Sequence, residues 1–226
     1  MALALPAAAA VGDLIISEYI EGSSNNKAIE IFNGSDRAID LTAGSYVLQL
    51  YYNGATVAGD TIALQGTLPP NGAYVMCHAS ATNAIKDRAN LVTGALKFNG
   101  DDALVLRRGG AAGTVVDSLG RVGEDPGTHW GSATNKTVDM TLRRKYAVTA
   151  GDRVPDDAFD PALEWEALPC DTCDGLGVHA MQPEGFLLRV SVAQPSATSV
   201  LTGGAPPAAK PIRPRATPSP SVAAPS

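Results

Sequence analysis

The sequence is short of the residues that most catalytic sites are built from. Among 226 residues there are three histidines and three cysteines. The histidines suggest no catalytic triad, and there is no Gly-x-Ser-x-Gly, no His-Glu-x-x-His and no Gly-rich phosphate loop. No run approaches the ~18 apolar residues of a membrane-spanning helix. No repeat of fixed period is present. Acid is missing from the far end: nothing after Glu184 is Asp or Glu, while Lys210, Arg213 and Arg215 lie there. The chain as a whole carries a formal charge of −6, so its front part is more acidic still. An acidic domain is a poor non-specific ligand for phosphate backbones, which disfavours nucleic acid as a partner.

What the chain does have is apolar residues, at 45 %, and turn formers, with 23 Gly and 16 Pro. The apolar content permits a sizeable core, and the turn formers point to short strands rather than long helices. Three regions follow from composition. Residues 1–11 are Ala-rich and resemble the end of a secretory signal without its basic region, so they read as a signal remnant or a disordered leader. Residues 12–193 hold the strand patterns. Residues 194–226 contain eight of the 16 prolines and no aromatic residue. They read as a disordered Pro/Ala/Ser linker or tail, because such a segment buries too little apolar surface to offset its ordering entropy.

The stretch from Leu14 to Phe32 organises the rest. Leu14–Ile20 and Lys27–Phe32 read as strands, joined by the polar turn Glu21-Gly22-Ser23-Ser24-Asn25-Asn26. Strict alternation places Leu14, Ile16, Glu18 and Ile20 on one face. Glu18 then stands in an apolar row and needs hydrogen bonds or a cation. Lys27 or the N–H groups of the turn are the expected suppliers, in a structural role rather than a metal-binding or catalytic one. Further strands are expected at Tyr46–Tyr52, Thr61–Leu64, Ala73–Cys77, Leu96–Phe98, Ala103–Leu106, Thr114–Leu119, Met140–Tyr146 and Phe186–Val192. Asn53-Gly54 reads as a hairpin turn, Asn99-Gly100-Asp101-Asp102 as a hairpin between Leu96–Phe98 and Ala103–Leu106, and Pro69-Pro70-Asn71-Gly72 as a turn. Asn83–Ala89 reads as one helical turn. Trp130, Trp165 and Leu168 are expected to anchor irregular stretches. Many short strands at this spacing predict an all-β sandwich or barrel.

Several of these segments resemble the lamin-tail domain family in its bacterial form, as found at the N-terminus of extracellular nucleases. The resemblance rests on Ile16-Ser17-Glu18-Tyr19, the Gly-Ser-Ser-Asn-Asn-Lys turn and Ala28-Ile29-Glu30-Ile31-Phe32-Asn33. It continues at Leu96–Leu106, Val115–Gly120, Thr141–Lys145 and Asp174–His179. It implies an immunoglobulin-like antiparallel β-sandwich without catalysis of its own. The motif residues Glu18, Asn26, Glu30, Asp102, Asp174 and His179 then have structural roles. It also implies a secreted bacterial protein, whose partner is another protein, a cell surface or an appended catalytic domain. The alternative is an accessory DNA-targeting domain of an extracellular endonuclease.

Two clusters remain open. Cys170-Asp171-Thr172-Cys173 is the one Cys-x-x-Cys. A local disulfide is its expected state in a secreted chain, with free thiols or a zinc site completed by Cys77, His78, His129 or His179 as alternatives. Cys77 itself reads as a buried free thiol. Asp101 and Asp102, with Asp156 and Asp157 in the acidic loop Asp152–Asp160, are weak calcium candidates, though Asp in turns normally bonds its own backbone. No other cofactor is expected. Truncation after Ala193 is expected to leave the melting temperature unchanged in a thermal melt. A drop of several degrees would show that the tail packs.

Overall fold

The computed structural model describes residues 12–181. The leader, the strand expected over Phe186–Val192 and the Pro-rich tail lie outside these residues. Along the described chain run β1 (Ile15–Glu21), β2 (Lys27–Phe32), β3 (Ile39–Asp40), β4 (Val47–Tyr51), β5 (Asp60–Ala63), β6 (Thr67–Leu68) and β7 (Ala73–His78). There follow α1 (Asn83–Lys86), β8 (Leu91–Thr93), β9 (Ala103–Arg108), β10 (Thr114–Leu119), β11 (Gly131–Ser132), β12 (Asn135–Lys136), β13 (Met140–Arg144), α2 (Pro161–Glu164) and β14 (Trp165–Leu168).

These strands form an immunoglobulin-like sandwich. The larger sheet has the order β14-β13-β1-β2-β7-β8 and the smaller one β10-β9-β4-β5. Two-stranded ribbons, β11-β12 and β3-β6, complete it. Pairing is antiparallel except between β7 and β8. Ile16, Tyr19, Ile29, Ile31, Met76 and Leu142 from the larger sheet meet Leu48, Leu50, Leu104, Leu106 and Val116 from the smaller. Burial of such side chains is worth about 1.5–3 kcal/mol each before entropy is counted. The expected β4 face is confirmed, with Tyr46, Leu48, Leu50 and Tyr52 all at this core.

One expectation fails at β1. Ile16 pairs with Ile31, and the next pair is Glu18 with Glu30, which leaves Ser17 as an extra residue. This β-bulge reverses the alternation after it. Leu14, Ile16 and Tyr19 therefore face the core, and Ile20 belongs to a separate apolar cluster on the outer face. Glu18 goes outward with Ile20.

Two segments differ from expectation for the same reason, the source of their hydrogen bonds. Leu96 and Phe98 are buried, but the segment is not a strand. Phe98 stacks on Tyr19 with ring centroids 4.9 Å apart, and the Asn99 N–H is taken by the Asp102 carboxylate, not by a ladder. Conversely, Trp165–Leu168 is a full edge strand on β13, with Trp165 opposite Arg144. The Asn53-Gly54 turn forms as expected. Its residues sit at φ +48° and +73°, the left-handed pair that a type I′ turn requires.

Asp117 and Arg144 join the two sheets from inside. Both side chains are fully buried, with Arg144 Nη1 donating to Asp117 Oδ2 at 3.1 Å. Asp117 also accepts from the N–H groups of Ile16 (2.7 Å), Ser118 (2.9 Å) and Asp152 (2.7 Å). Asp117 follows a second bulge, where the β9–β10 register shifts between Val115 and Asp117. Burial pushes its carboxyl above the usual range, and Arg144 with the three N–H groups pulls it back. Arg144 also bonds Glu164 and lies 4.7 Å over the Trp165 ring.

Breaking a buried pair by removing one partner leaves an uncompensated charge. Asp117→Ala and Arg144→Ala should each destabilise the fold by about 3–5 kcal/mol on that principle. The double variant should cost clearly less than the two singles together. Urea unfolding of the three variants checks this, and simple additivity would overturn it.

Candidate functional site

The outer face of the larger sheet carries both apolar and ionisable residues. Ile20, Ala28, Val75 and Cys77 form an apolar patch there, covered by Ala81 and Ile85 from the α1 region and by Leu176 and Cys173. The last two belong to residues 169–180, which cross this face as a strap after β14. The strap has no ladder pairing of its own. It is held instead by side chains.

The first hold is Asp171, at φ +64°. Its carboxylate accepts from Ser23 N–H (2.9 Å), Ser23 Oγ (2.6 Å) and Asn26 Nδ2 (2.9 Å). Burial alone would raise this carboxyl. Ser23, Asn26 and the Lys27 charge outweigh it and bring it below the usual range. Asn26 Oδ1 in turn accepts from Thr82 N–H at 2.9 Å, so one side chain joins the strap, the turn and the start of α1.

The second hold is a carboxylate pair. Glu18 and Glu30 lie directly opposite on β1 and β2, 1 % and 0 % exposed. Glu30 accepts from Ser17 Oγ (2.6 Å) and from the strap's Gly177 N–H (2.6 Å). Glu18 Oε2 accepts from Arg143 Nε at 2.7 Å, while its buried Oε1 has no partner. Arg143 also donates to Asp174 on the strap at 3.0 Å. Burial raises both glutamates above the usual carboxylate range; Arg143 and Ser17 respectively oppose this. Gly175 is required here, because a Cβ would lie 2.6 Å from Glu18 Oε2 and overlap the Arg143 guanidinium. His179 ends the strap against the edge of Phe32, 5.0 Å between ring centroids. Burial lowers its pKa to about 4, with Arg144 and Arg143 adding to the effect. Beside it, Arg143, Tyr146, Glu166, Asp174, Val178 and His179 line a cleft of about 530 Å³.

The expected partners of Glu18 are thus corrected. Lys27 pairs with Glu21, whose other oxygen takes Asp139 N–H at 2.6 Å. The N–H of Ser23 in the turn goes to Asp171. The bulge turned Glu18 to the outer face, where Arg143 lies opposite it on β13.

The cysteines are free thiols in the structure, and the expected Cys170–Cys173 bond is not formed. The Asp171 clamp separates their surroundings: Cys170 is exposed, while Cys173 packs into the apolar patch near Cys77. Cys77 is buried as expected, and burial raises its thiol pKa. The histidines do not gather around them. His78 accepts from Ser80 N–H, His129 lies by Thr128, and His179 is at Phe32. Among the described residues no three His, Cys, Asp or Glu side chains are placed to share a metal ion.

The four calcium candidates are likewise split. Asp102 joins two turns, accepting from Asn53 N–H (2.9 Å) and Asn99 N–H (2.8 Å). Asp101 beside it keeps one buried oxygen without a partner. Asp156 and Asp157 lie in the loop before α2, where Asp152 bonds Val154 N–H and Asp160 caps α2 through Ala162 N–H. Sequence reasoning missed Asp117, Arg144 and Asp171. A signal existed for Asp117, an acid within the apolar run Val115–Leu119, the same signal that singled out Glu18.

The fold and this face define a class: an immunoglobulin-like module whose ionisable groups brace its own backbone. Residues 7–123 match the family model of the Lamin Tail Domain, and the chain belongs to that family of non-catalytic immunoglobulin-like domains. No curated protein and no solved structure matches the chain. The matched stretch stops at residue 123, so β13, β14 and the strap lie beyond it.

Asp171→Ala should destabilise the domain by about 1–2 kcal/mol through its three lost donors. Because the Asp171 pKa is lowered on folding, its contribution is present above the unfolded value near 3.8 and is lost as pH falls through the folded one. Melts of both proteins should therefore differ at pH 7 and converge near pH 2. An equal gap at both pH values would overturn the clamp.

Proposed function

We propose that the chain is a secreted bacterial, non-catalytic β-sandwich module that serves adhesion or the positioning of a partner or attached domain. Membership of the family supports this. So does the engagement of Asp102, Asp117, Arg144, Asp171, Glu30 and Arg143 in bonds that join one part of the fold to another. A group held in this way is braced for stability rather than presented to a substrate. The acidic balance of the chain directs the choice of partner toward proteins or cell surfaces and away from nucleic acid.

A second reading is supported by the Ile16-Ser17-Glu18-Tyr19 opening and the Ser23–Lys27 turn, which resemble the nuclease-associated form of the family. In it the domain is an accessory to an extracellular endonuclease whose chemistry lies in another domain or chain. Incubation of the purified chain with supercoiled plasmid and Mg²⁺ or Ca²⁺ separates catalysis from scaffolding. No cleavage is expected. Cleavage that disappears in Glu18→Gln would overturn the non-catalytic reading. Gel-shift titration at about 50 and 200 mM salt separates the two readings: retained, salt-sensitive DNA binding would favour the accessory role.

A further inference from the structure

The strap covers an apolar patch and a buried thiol, yet its hold depends on an unbalanced set of charges. Apart from Asp171, which is bonded to Ser23 and Asn26 and lies near Lys27, three carboxylates stand around it, Glu18 on β1, Glu30 on β2 and Asp174 on the strap itself, with Glu166 of β14 paired opposite Arg143. One guanidinium, Arg143 on β13, serves Glu18 and Asp174 together. Glu18 and Glu30 are a directly opposed cross-strand pair, and like charges so placed repel. Glu18 Oε1 is buried with no partner, an unstable position for an ionised oxygen. The strap lacks ladder bonds, and much of it is exposed. Segments of that kind open with less free energy than the whole fold.

We propose that residues 169–180 are a proton-linked latch, whose closure over Ile20, Ala28, Val75 and Cys77 depends on a proton held by the facing Glu18–Glu30 pair. When the strap is closed, Gly177 N–H and Gly175 seal the pair from water. When it opens, both carboxyls hydrate and ionise with ordinary affinity.

The sign follows from which state binds protons more tightly. Both glutamates are raised in the closed state, chiefly by burial. Their contribution to closure is complete below the unfolded value of 4.5 and is lost as pH rises through the raised values. His179 acts in the opposite sense. Its pKa is lowered to about 4 by burial and by Arg144 and Arg143. Its contribution is complete above about 6.5 and is lost as pH falls toward 4. For the carboxyl pair, closure is firmest in acid and loosens as pH rises from 4.5 through the raised values, while His179 opposes this below about 6.5.

Cys77 is a native reporter, buried in the patch that the strap and the α1 region cover together. The full chain, freed of reductant, is pulsed between pH 4.5 and 9 with 4,4′-dithiodipyridine, which attacks thiols even in acid, and Cys77 labelling is read by non-reducing peptide mass spectrometry. Dividing the wild-type rate by that of Glu30→Gln at each pH cancels the intrinsic reactivity of the thiol. The ratio should rise several-fold with pH from about 4.5 upward and then level off, as release of a linked proton requires. A flat ratio would overturn the latch. Glu18→Gln serves as the second variant should Glu30→Gln fail to fold. A measurement on the wild type alone also decides the matter. The urea dependence of Cys77 labelling should be clearly shallower than that of global unfolding, since only the strap is released. Equal slopes both at Cys77 and at Cys173, the strap's own thiol in the patch, would mean that the strap is released only by unfolding of the domain, and no latch exists.

Discussion

One extra residue in β1, Ser17, decides which side of the larger sheet everything after it faces. Ahead of the bulge, Leu14 and Ile16 point into the core; beyond it, Tyr19 does, and Glu18 and Ile20 face out. A strand has a side-chain period of two, so a single insertion exchanges its faces. Tyr19 gains Phe98 as a stacking partner and donates from its hydroxyl to the carbonyls of Asn99 and Thr137. The Ile16 N–H, next to the bulge, reaches Asp117 across the sandwich. The bulged Ser17 supplies its hydroxyl to Glu30. Core packing, sheet joining and the outer polar site all depend on that one irregularity.

The buried charges divide the structure into an inner brace and an outer one. Asp117 and Arg144 hold the sheets from within, each with several hydrogen bonds that offset its desolvation. The outer brace, of Glu18, Glu30, Arg143, Asp171 and Asp174, holds the strap. It is less complete, because two facing carboxylates share little positive charge. The inner brace leaves only Arg144 Nε without a partner, whereas the outer one leaves a carboxylate oxygen, Glu18 Oε1, and a network whose carboxylates are short of partners is responsive to its protons. That difference separates the structural core from the face on which regulation of the domain would act.

Much of the strand framework could be read from the chain. The alternation in Tyr46–Tyr52, the Asn53-Gly54 turn and the run Ala73–Cys77 report local preferences, and the structure follows them. Trp165–Leu168 alternates only in its first three residues, a weak signal without the neighbouring β13. Leu96–Phe98 had the composition of a strand, yet its Lys97 N–H goes to the Ala95 carbonyl and the Asn99 N–H that follows it goes to Asp102, not to a neighbouring strand. Local propensity for β structure depends strongly on such context.

The sequence by itself determined that the chain is all-β, where most strands and turns fall, and that Glu18 had to be compensated. These rest on periodicity and on the cost of burying charge, which are local or nearly so. Only the tertiary structure decided the partners. Arg143 is 125 residues from Glu18, Asp171 is 148 from Ser23, and Arg144 is 27 from Asp117. Which donor meets which acceptor is set by strand order and by a bulge of one residue. Neither leaves a mark on the spacing of residue types, because both arise from how two sheets pack together.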